Sequence, residues 1–127
     1  MTRTMLAGKI HRATVTEVNI DYEGSITIDP SLLEATGILP YEMVQVLDIT
    51  NGARVETYAV EGERGSGEIC VNGAAAHLIH EGDLVIILHF VQNRDEEAQN
   101  VEPKIVRVDA KNHIASKKSP LQTYADH

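Results

Sequence analysis

The dipeptide Asn51-Gly52 is the feature that most constrains how this chain can fold. It lies between two runs rich in β-branched and apolar residues, at positions 43–49 and 55–60. Both central positions of a type I′ turn need positive φ angles, which asparagine and glycine tolerate best. The pattern therefore predicts a β-hairpin closed by a type I′ turn.

Other short extended segments recur along the chain. Apolar and polar residues alternate over residues 13–20 and again over residues 25–29, with the period of two that is typical of a half-buried strand. Further strands are predicted at residues 68–71, 84–91 and 105–108. Since aromatic residues make up only 4% of the chain, valine, isoleucine and leucine must build the core.

One short helix is predicted among these strands. Asp29 suits the N-cap, Pro30 the first helical position and Gly37 a left-handed C-terminal residue. The length of 127 residues is that of one domain. The sequence thus predicts a single, mainly β domain over residues 1–127, with a loose tail from about Lys111 onward.

Composition argues against several classes of function. Eleven lysines and arginines against nineteen acidic residues give a net charge of -8, which repels phosphate backbones and makes nucleic acid an unexpected partner. The longest apolar segment, residues 84–91, is too short to cross a bilayer, and residues 1–8 lack the apolar stretch of a signal peptide. No membrane role is expected. Cys70 is the single cysteine, which makes the cytoplasm the expected location.

The Gly24-Ser25 pair is the best candidate for covalent chemistry. It places a hydroxyl beside an unhindered glycine carbonyl, at the junction between two extended segments where strain could favour nucleophilic attack. Gly-Ser is also a common simple turn, and Gly65-Ser66 is a second such pair in the chain. The residues alone leave both interpretations open.

His77 and His80 lie one helical turn apart, a spacing that lets two imidazoles share a metal ion. Glu81 follows directly, but the His-Glu-x-x-His order of a zinc hydrolase is missing and no third ligand is apparent. The sequence predicts no metal.

Nine short motifs, taken together, resemble the aspartate 1-decarboxylases in order and spacing over residues 3 to about 97. They are Arg3-Thr-Met-Leu6, Gly8-Lys9, His11-Arg12, Tyr22-Glu-Gly-Ser25, Thr50-Asn-Gly52, Thr57-Tyr-Ala59, Glu63-Arg-Gly-Ser66, Val71-Asn-Gly-Ala-Ala-Ala-His77 and Gly82-Asp83.

The resemblance implies a double-psi β-barrel with one or two short helices, assembled as a homotetramer with active sites between neighbouring subunits. It implies a proenzyme that cuts itself between Gly24 and Ser25 into a β chain of residues 1–24 and an α chain of residues 25–127. Ser25 would become a covalent pyruvoyl group, replacing pyridoxal phosphate as the electron sink, with no metal. The sequence leaves open whether a helper protein assists this maturation.

The activity implied is decarboxylation of L-aspartate to β-alanine, which supplies pantothenate and coenzyme A biosynthesis. Tyr58 matches the proton donor, and Thr57 is expected to bind substrate and to assist cleavage. Lys9 and Arg54 match positions that hold the substrate carboxylates.

Further residues of the resemblance surround the substrate. Small residues after Asn72 would let backbone donors approach a carboxylate closely. The residues that match this carboxylate-binding region are Asn72, Gly73, Ala74 and Ala75. His11 and Tyr22 match secondary positions of the pocket.

Two other functions stay open at this point. One is a non-catalytic β-barrel interaction module in which Gly24-Ser25 is only a turn. The other is a pyruvoyl decarboxylase of another small amino acid such as glutamate, because the electron sink is indifferent to the side chain and the pocket alone sets selectivity.

Overall fold

β-Strands dominate the structure, a computed structural model that describes residues 1–118. The predicted mainly β class is confirmed, with short helices between the strands. None of the helices in this described part is long and apolar enough to cross a membrane. In chain order the elements are β1 Thr2–Thr14, β2 Glu17–Asn19, β3 Ser25–Ile28, α1 Pro30–Thr36, β4 Met43–Asp48, β5 Arg54–Glu61, β6 Ile69–Asn72, a 3-10 helix Gly73–His77, β7 Leu84–Arg94, α2 Asp95–Ala98, β8 Lys104–Val108 and β9 Ile114–Lys118.

The strands hydrogen-bond in the order β2-β6-β3-β5-β4-β7-β1-β8-β9. Three neighbouring pairs are parallel, namely β1 with β8, β2 with β6 and β3 with β5, and the others are antiparallel. One face of the strands builds the core. Its fully buried members include Ile10, Ile26, Ile69 and Ile87.

Helix α1 forms as its sequence predicts. The Asp29 carboxylate accepts a hydrogen bond from the Ser31 N–H at 2.9 Å, and Pro30 occupies the first turn. Gly37 ends the helix with a φ of 80°. Asp29 also accepts hydrogen bonds from Gly65 and Gly67, which ties their loop to the start of the helix. A single carboxylate thereby positions the connection between β5 and β6.

The hairpin between β4 and β5 is confirmed, but the predicted type I′ turn is wrong. Residues 49–53 form the loop, which contains a hydrogen bond from Gly52 N–H to the Asp48 carbonyl at 2.8 Å. Gly52 has a φ of 80°, whereas Asn51 is not among the residues with positive φ. The buried Asp48 carboxylate accepts from the N–H groups of Thr50 and Asn51, and these bonds favour the longer loop.

The alternating segment at residues 13–20 is two strands rather than one. Between β1 and β2 the backbone changes partners, because Val15 N–H donates to the Asp83 carbonyl and Thr16 N–H to the Ile69 carbonyl, both at 2.9 Å. Alternation alone did not reveal this break, since side-chain periodicity is unaffected by a change of hydrogen-bonding partner.

The loose tail predicted from about Lys111 is also wrong over its first part. Residues 114–118 form β9, paired antiparallel with β8. Asn112 is buried and has a φ of 62°, and its side chain bonds to both the N–H and the carbonyl of Thr14. These contacts hold the segment against the sheet. The remainder of the predicted tail, residues 119–127, lies outside the described residues.

Candidate active site

Ser25 is the first residue of β3, and its side chain is only 2% exposed. On one side β3 pairs antiparallel with β6, so that Ser25 lies opposite Asn72 and Thr27 lies opposite Cys70. Because residues two apart share a strand face, these four side chains form one patch on the outward face of the sheet. The core residues Ile26 and Val71 point the other way.

Asn72 is the polar centre of this patch. Its Nδ2 donates to Ser25 Oγ and to Thr27 Oγ1, each at 3.0 Å, and its Oδ1 accepts from Cys70 Sγ at 3.3 Å. The Ser25 hydroxyl donates to the Glu23 carbonyl at 3.3 Å. Asn72 occupies the N-cap position of the 3-10 helix but makes no side-chain capping bond. Its amide nitrogen instead donates to Ser25 and Thr27.

Tyr58 lies on the strand at the other side of Ser25. In the parallel pair β3 and β5, Ile26 aligns with Ala59, so Ser25 and Tyr58 immediately precede aligned residues on adjacent strands. Adjacent strands are roughly 4.8 Å apart. Ser25 and Tyr58 line the same cavity of about 630 Å³, together with Tyr22 and Asn72. Its size admits a small amino acid.

Gly24 and Gly73 bring the turn before Ser25 against the start of the 3-10 helix. A β-carbon on Gly73 would lie 2.7 Å from Gly24 Cα and 2.9 Å from Gly24 N, and Gly73 has a φ of 75°. Only glycine accommodates both constraints. A β-carbon on Gly24 would meet nothing within 4 Å. The side of the Gly24 Cα that would carry a side chain is therefore open.

The described lining of this cavity is acidic. Four glutamates contribute to it, and no lysine, arginine or histidine of the described residues does. A dicarboxylic acid entering this cavity in an isolated protomer would meet repulsion from like charges. The four residues are Glu17, Glu23, Glu61 and Glu68.

The aspartate decarboxylase family model matches residues 1–115 of this chain. The chain belongs to the aspartate decarboxylase family. It is 58% identical over 116 residues to the aspartate 1-decarboxylase of Corynebacterium efficiens, covering 91% of this chain and 85% of that protein. It is 60% identical over 114 residues to the enzyme of Listeria monocytogenes, covering 90% of each. The resemblance seen in the sequence motifs is confirmed.

Family membership carries with it the predicted double-psi β-barrel, and the mixture of parallel and antiparallel pairs accords with that fold. Among solved structures, the rationally designed mkDPBB_sym1 protein is similar at a TM-score of 0.45 with 16% sequence identity. That likeness covers 68% of this chain and 96% of the designed one.

The cations that match the family's carboxylate-binding positions lie away from Ser25 in the protomer. Arg54 is on the same face of β5 as Tyr58 but four residues away, roughly 13 Å along the strand. It lines a separate small cavity with Gln45 and Glu56. Lys9 lies on β1, and β5, β4 and β7 separate that strand from β3.

Lys9 nevertheless shares the outward face of the sheet with Arg54. Lys9 aligns with Leu88, Leu88 with Gln45, and Gln45 with Glu56, which neighbours Arg54 on its face of β5. Burial, and then the neighbouring Arg107 guanidinium, lower the pKa of the Lys9 ammonium. A negatively charged ligand would offset both effects.

The other residues that match the family's site positions do not all line the Ser25 cavity. Thr57 lies on the opposite face of β5 from Tyr58 and is not among the residues that line the Ser25 cavity. Ala74 and Ala75 are in the 3-10 helix directly after Asn72 and Gly73. Tyr22 is 58% exposed at the mouth of the cavity, whereas His11 lines a different cavity beside Arg107.

His77 and His80 form no metal-ligand cluster within residues 1–118. The cluster with suitable spacing there is Glu17, Glu68 and Cys70, whose ligand atoms lie within 4.8 Å of one another. Burial, followed by the adjacent Glu17 and Glu68 carboxylates, raises the pKa of the Cys70 thiol to about 11. The thiolate that would bind a metal is therefore disfavoured.

Motif reasoning missed three residues around Ser25, namely Thr27, Cys70 and Tyr41. Thr27 and Cys70 each lie two positions from a predicted site residue, so strand alternation could have placed them on the same face. Tyr41 lines the cavity with a φ of 71°, an unusual value for a tyrosine. Nothing in the sequence pattern around residue 41 signals that conformation.

Gly73→Ala should impair self-cleavage through the contact with Gly24. A β-carbon would push the turn before Ser25 by on the order of 1 Å, and such a displacement can slow a positioned reaction up to about a hundredfold. The conversion of intact chain to fragments, followed by intact mass, measures this rate. Gly82→Ala is the matched control, since Gly82 has a φ of 88° but open space around its β-carbon position. Equal cleavage rates for both variants would contradict a steric role for Gly73.

Proposed function

We propose that the protein is an aspartate 1-decarboxylase that converts L-aspartate to β-alanine and carbon dioxide, after cleaving itself between Gly24 and Ser25. The observation that carries this proposal is the placement of a buried Ser25 hydroxyl, bound by Asn72, in one cavity with Tyr58. An interaction module that used Gly24-Ser25 only as a turn would need neither the buried hydroxyl nor its amide donor.

The cleavage consumes no reactant from outside the chain except water. Ser25 Oγ attacks the Gly24 carbonyl carbon and the amide nitrogen departs, which replaces the peptide bond with an ester. Loss of the Ser25 α-proton then breaks the bond between Cβ and Oγ, so that Gly24 leaves as a carboxylate and residue 25 becomes dehydroalanine. Addition of water and loss of ammonia leave a pyruvoyl group at the start of the 25–127 chain.

The residues around Ser25 fit such a group. The pyruvoyl carbonyl supplies the electron sink that decarboxylation needs, in place of pyridoxal phosphate. Tyr58, one strand away, returns a proton to the substrate carbon after carbon dioxide leaves. Asn72 lines the same cavity. The backbone of Gly73, Ala74 and Ala75, directly after it, is proposed to bind a substrate carboxylate, and Thr57 is proposed to assist cleavage and binding from β5.

The acidic cavity supports an active site shared between copies of the chain in a homotetramer. The carboxylates of L-aspartate need cations, and Lys9 and Arg54 present theirs elsewhere on the outward face of the sheet. A neighbouring subunit that packs this face over the Ser25 cavity supplies both. Large apolar side chains next to the cavity are exposed in the protomer and would be covered by that packing. They include Leu39, Tyr41 and Met43, at 67%, 79% and 63% exposure.

The remaining parts of the proposal concern specificity and context. Two separated cations suit a dicarboxylic amino acid, and the pocket that they form would set the preference for aspartate over glutamate. The product would feed pantothenate and coenzyme A biosynthesis in the cytoplasm, as the family resemblance implies. His11 and Tyr22 are proposed as secondary contacts of the pocket, and a helper protein for cleavage stays an open question.

Intact-mass measurement with a product assay tests the function directly. Purified protein should contain fragments 1–24 and 25–127, the second beginning with a group that resists Edman degradation. L-Aspartate should yield β-alanine, and L-glutamate should react far more slowly. Native mass spectrometry should report a tetramer. An intact chain without decarboxylase activity would contradict the proposal, and so would cleavage at Gly65-Ser66 or a fully active monomer.

A further inference from the structure

The side-chain amide of Asn72 has a donor end and an acceptor end, and only one of them can face Ser25. With the nitrogen toward Ser25, the amide donates to Oγ at 3.0 Å and leaves the hydroxyl proton to the Glu23 carbonyl. With the amide oxygen toward Ser25, the hydroxyl would donate to that oxygen, and Oγ would no longer accept a hydrogen bond from Asn72.

A donor on Oγ matters in both covalent steps of the proposed cleavage. Negative charge develops on Oγ when its proton leaves before attack on Gly24. Negative charge returns to the same oxygen during elimination, because Oγ departs as part of the Gly24 carboxylate. A hydrogen bond from Asn72 Nδ2 stabilises both states.

The hydroxyl partners of Asn72 do not by themselves select this orientation. Ser25 and Thr27 can each donate or accept, so either end of the amide would be satisfied beside them. The contact that distinguishes the ends is the one at Asn72 Oδ1, where Cys70 Sγ lies at 3.3 Å. A thiol is a weak donor and a still poorer partner for an N–H group, so turning the amide would leave its nitrogen facing sulfur.

Cys70 is well placed to hold the amide. It lies directly across from Thr27 on β3 and two residues before Asn72, on the same strand face. It is 5% exposed and borders the Ser25 cavity. Glu17 and Glu68 also lie beside the sulfur, and the Glu17 side chain is a second hydrogen-bonding partner of the thiol. The thiol is the donor that the structure places against Asn72 Oδ1.

We propose that Cys70 is a positioning residue for self-cleavage, whose thiol holds Asn72 Oδ1 so that Nδ2 faces Ser25 Oγ. This inference rests on the proposed function, because it concerns the same bond between Gly24 and Ser25. The raised pKa of Cys70, at about 11, keeps the thiol protonated at neutral pH, as donation requires.

Replacement of Cys70 by residues with and without a donor tests the proposal. Newly made precursor is followed by intact mass as it converts to the two fragments. Cys70→Val and Cys70→Ala remove the donor, one with a larger and one with a smaller side chain, and should slow cleavage about three- to tenfold, as expected for one neutral hydrogen bond. Cys70→Ser restores a donor and should cleave within about twofold of the wild-type rate.

Val71→Ala is the matched structural control, because it truncates the adjacent core residue of β6 without touching the amide. It should lower the melting temperature and leave the cleavage rate unchanged. Wild-type rates in both donor-free variants, or a Cys70→Ser variant as slow as Cys70→Ala, would overturn the proposal for Cys70 alone. A wild-type chain that never cleaves would overturn the proposed function and this inference together.

Discussion

Ser25→Ala is expected to remain a full-length protein with no decarboxylase activity. The substitution removes the atom that is proposed to attack the Gly24 carbonyl. Without the bond between Cβ and Oγ, no dehydroalanine and hence no pyruvoyl group can form at residue 25. Alanine fits the space, because Ser25 is buried and loses only its hydroxyl, so the fold and the oligomeric state should be retained. Intact mass, β-alanine formation and native mass spectrometry measure the three outcomes.

Ser66→Ala is the control for this experiment, since Ser66 belongs to the second Gly-Ser pair and its hydroxyl bonds to the Glu63 carbonyl. It should cleave and turn over normally. Two fragments in the Ser25→Ala protein, or an uncleaved Ser66→Ala protein, would move the site of cleavage away from Gly24.

Tyr58→Phe is expected to cleave normally and then to turn over about a hundredfold more slowly or worse. Ser25 is needed before any substrate binds, whereas the Tyr58 hydroxyl is proposed to act only after carbon dioxide has left. The ring and most of its packing stay. Steady-state kinetics on fully cleaved enzyme should show a lower kcat with little change in KM, the pattern of a group that acts in the transition state.

Two further variants test whether the lower kcat is specific to the loss of the Tyr58 hydroxyl. Tyr41→Phe removes a hydroxyl from the same cavity and should keep kcat near the wild-type value. Arg54→Ala should mainly raise KM for L-aspartate, because a lost carboxylate contact weakens binding from the ground state onward. Near-normal kcat for a fully cleaved Tyr58→Phe enzyme would show that another group supplies the proton.

Local residue chemistry predicted the elements whose formation depends on near neighbours in the chain. Asp29, Pro30 and Gly37 delimit α1 because a cap, a fixed φ and a left-handed residue act within one turn. Alternation predicted the strands for a similar reason, since a half-buried strand must alternate. The family motifs located Ser25 and Tyr58, whose positions on adjacent strands the residues alone could not have shown.

The predictions that were wrong depended on the burial of polar side chains or on contacts distant in sequence. The hairpin turn was predicted from Asn51-Gly52, but the buried carboxylate of Asp48 selects a longer loop. The segment after Lys111 reads as polar and loose, yet Asn112 bonds to Thr14 and Gly67 across the sheet. In each case a side chain became buried through the fold and had to find its partners there.

The sequence by itself determined the β-rich architecture, the boundaries of α1 and the family, because periodicity, capping residues and ordered motifs are properties of the linear chain. Only the tertiary structure decided the environment of Ser25. Pairing of β3 with β6 sets Asn72 and Cys70 beside it, and pairing with β5 brings Tyr58 alongside. The order of the strands also places Lys9 and Arg54 away from the acidic cavity. Strand register depends on the packing of the whole core, so no local pattern encodes which side chains meet across it.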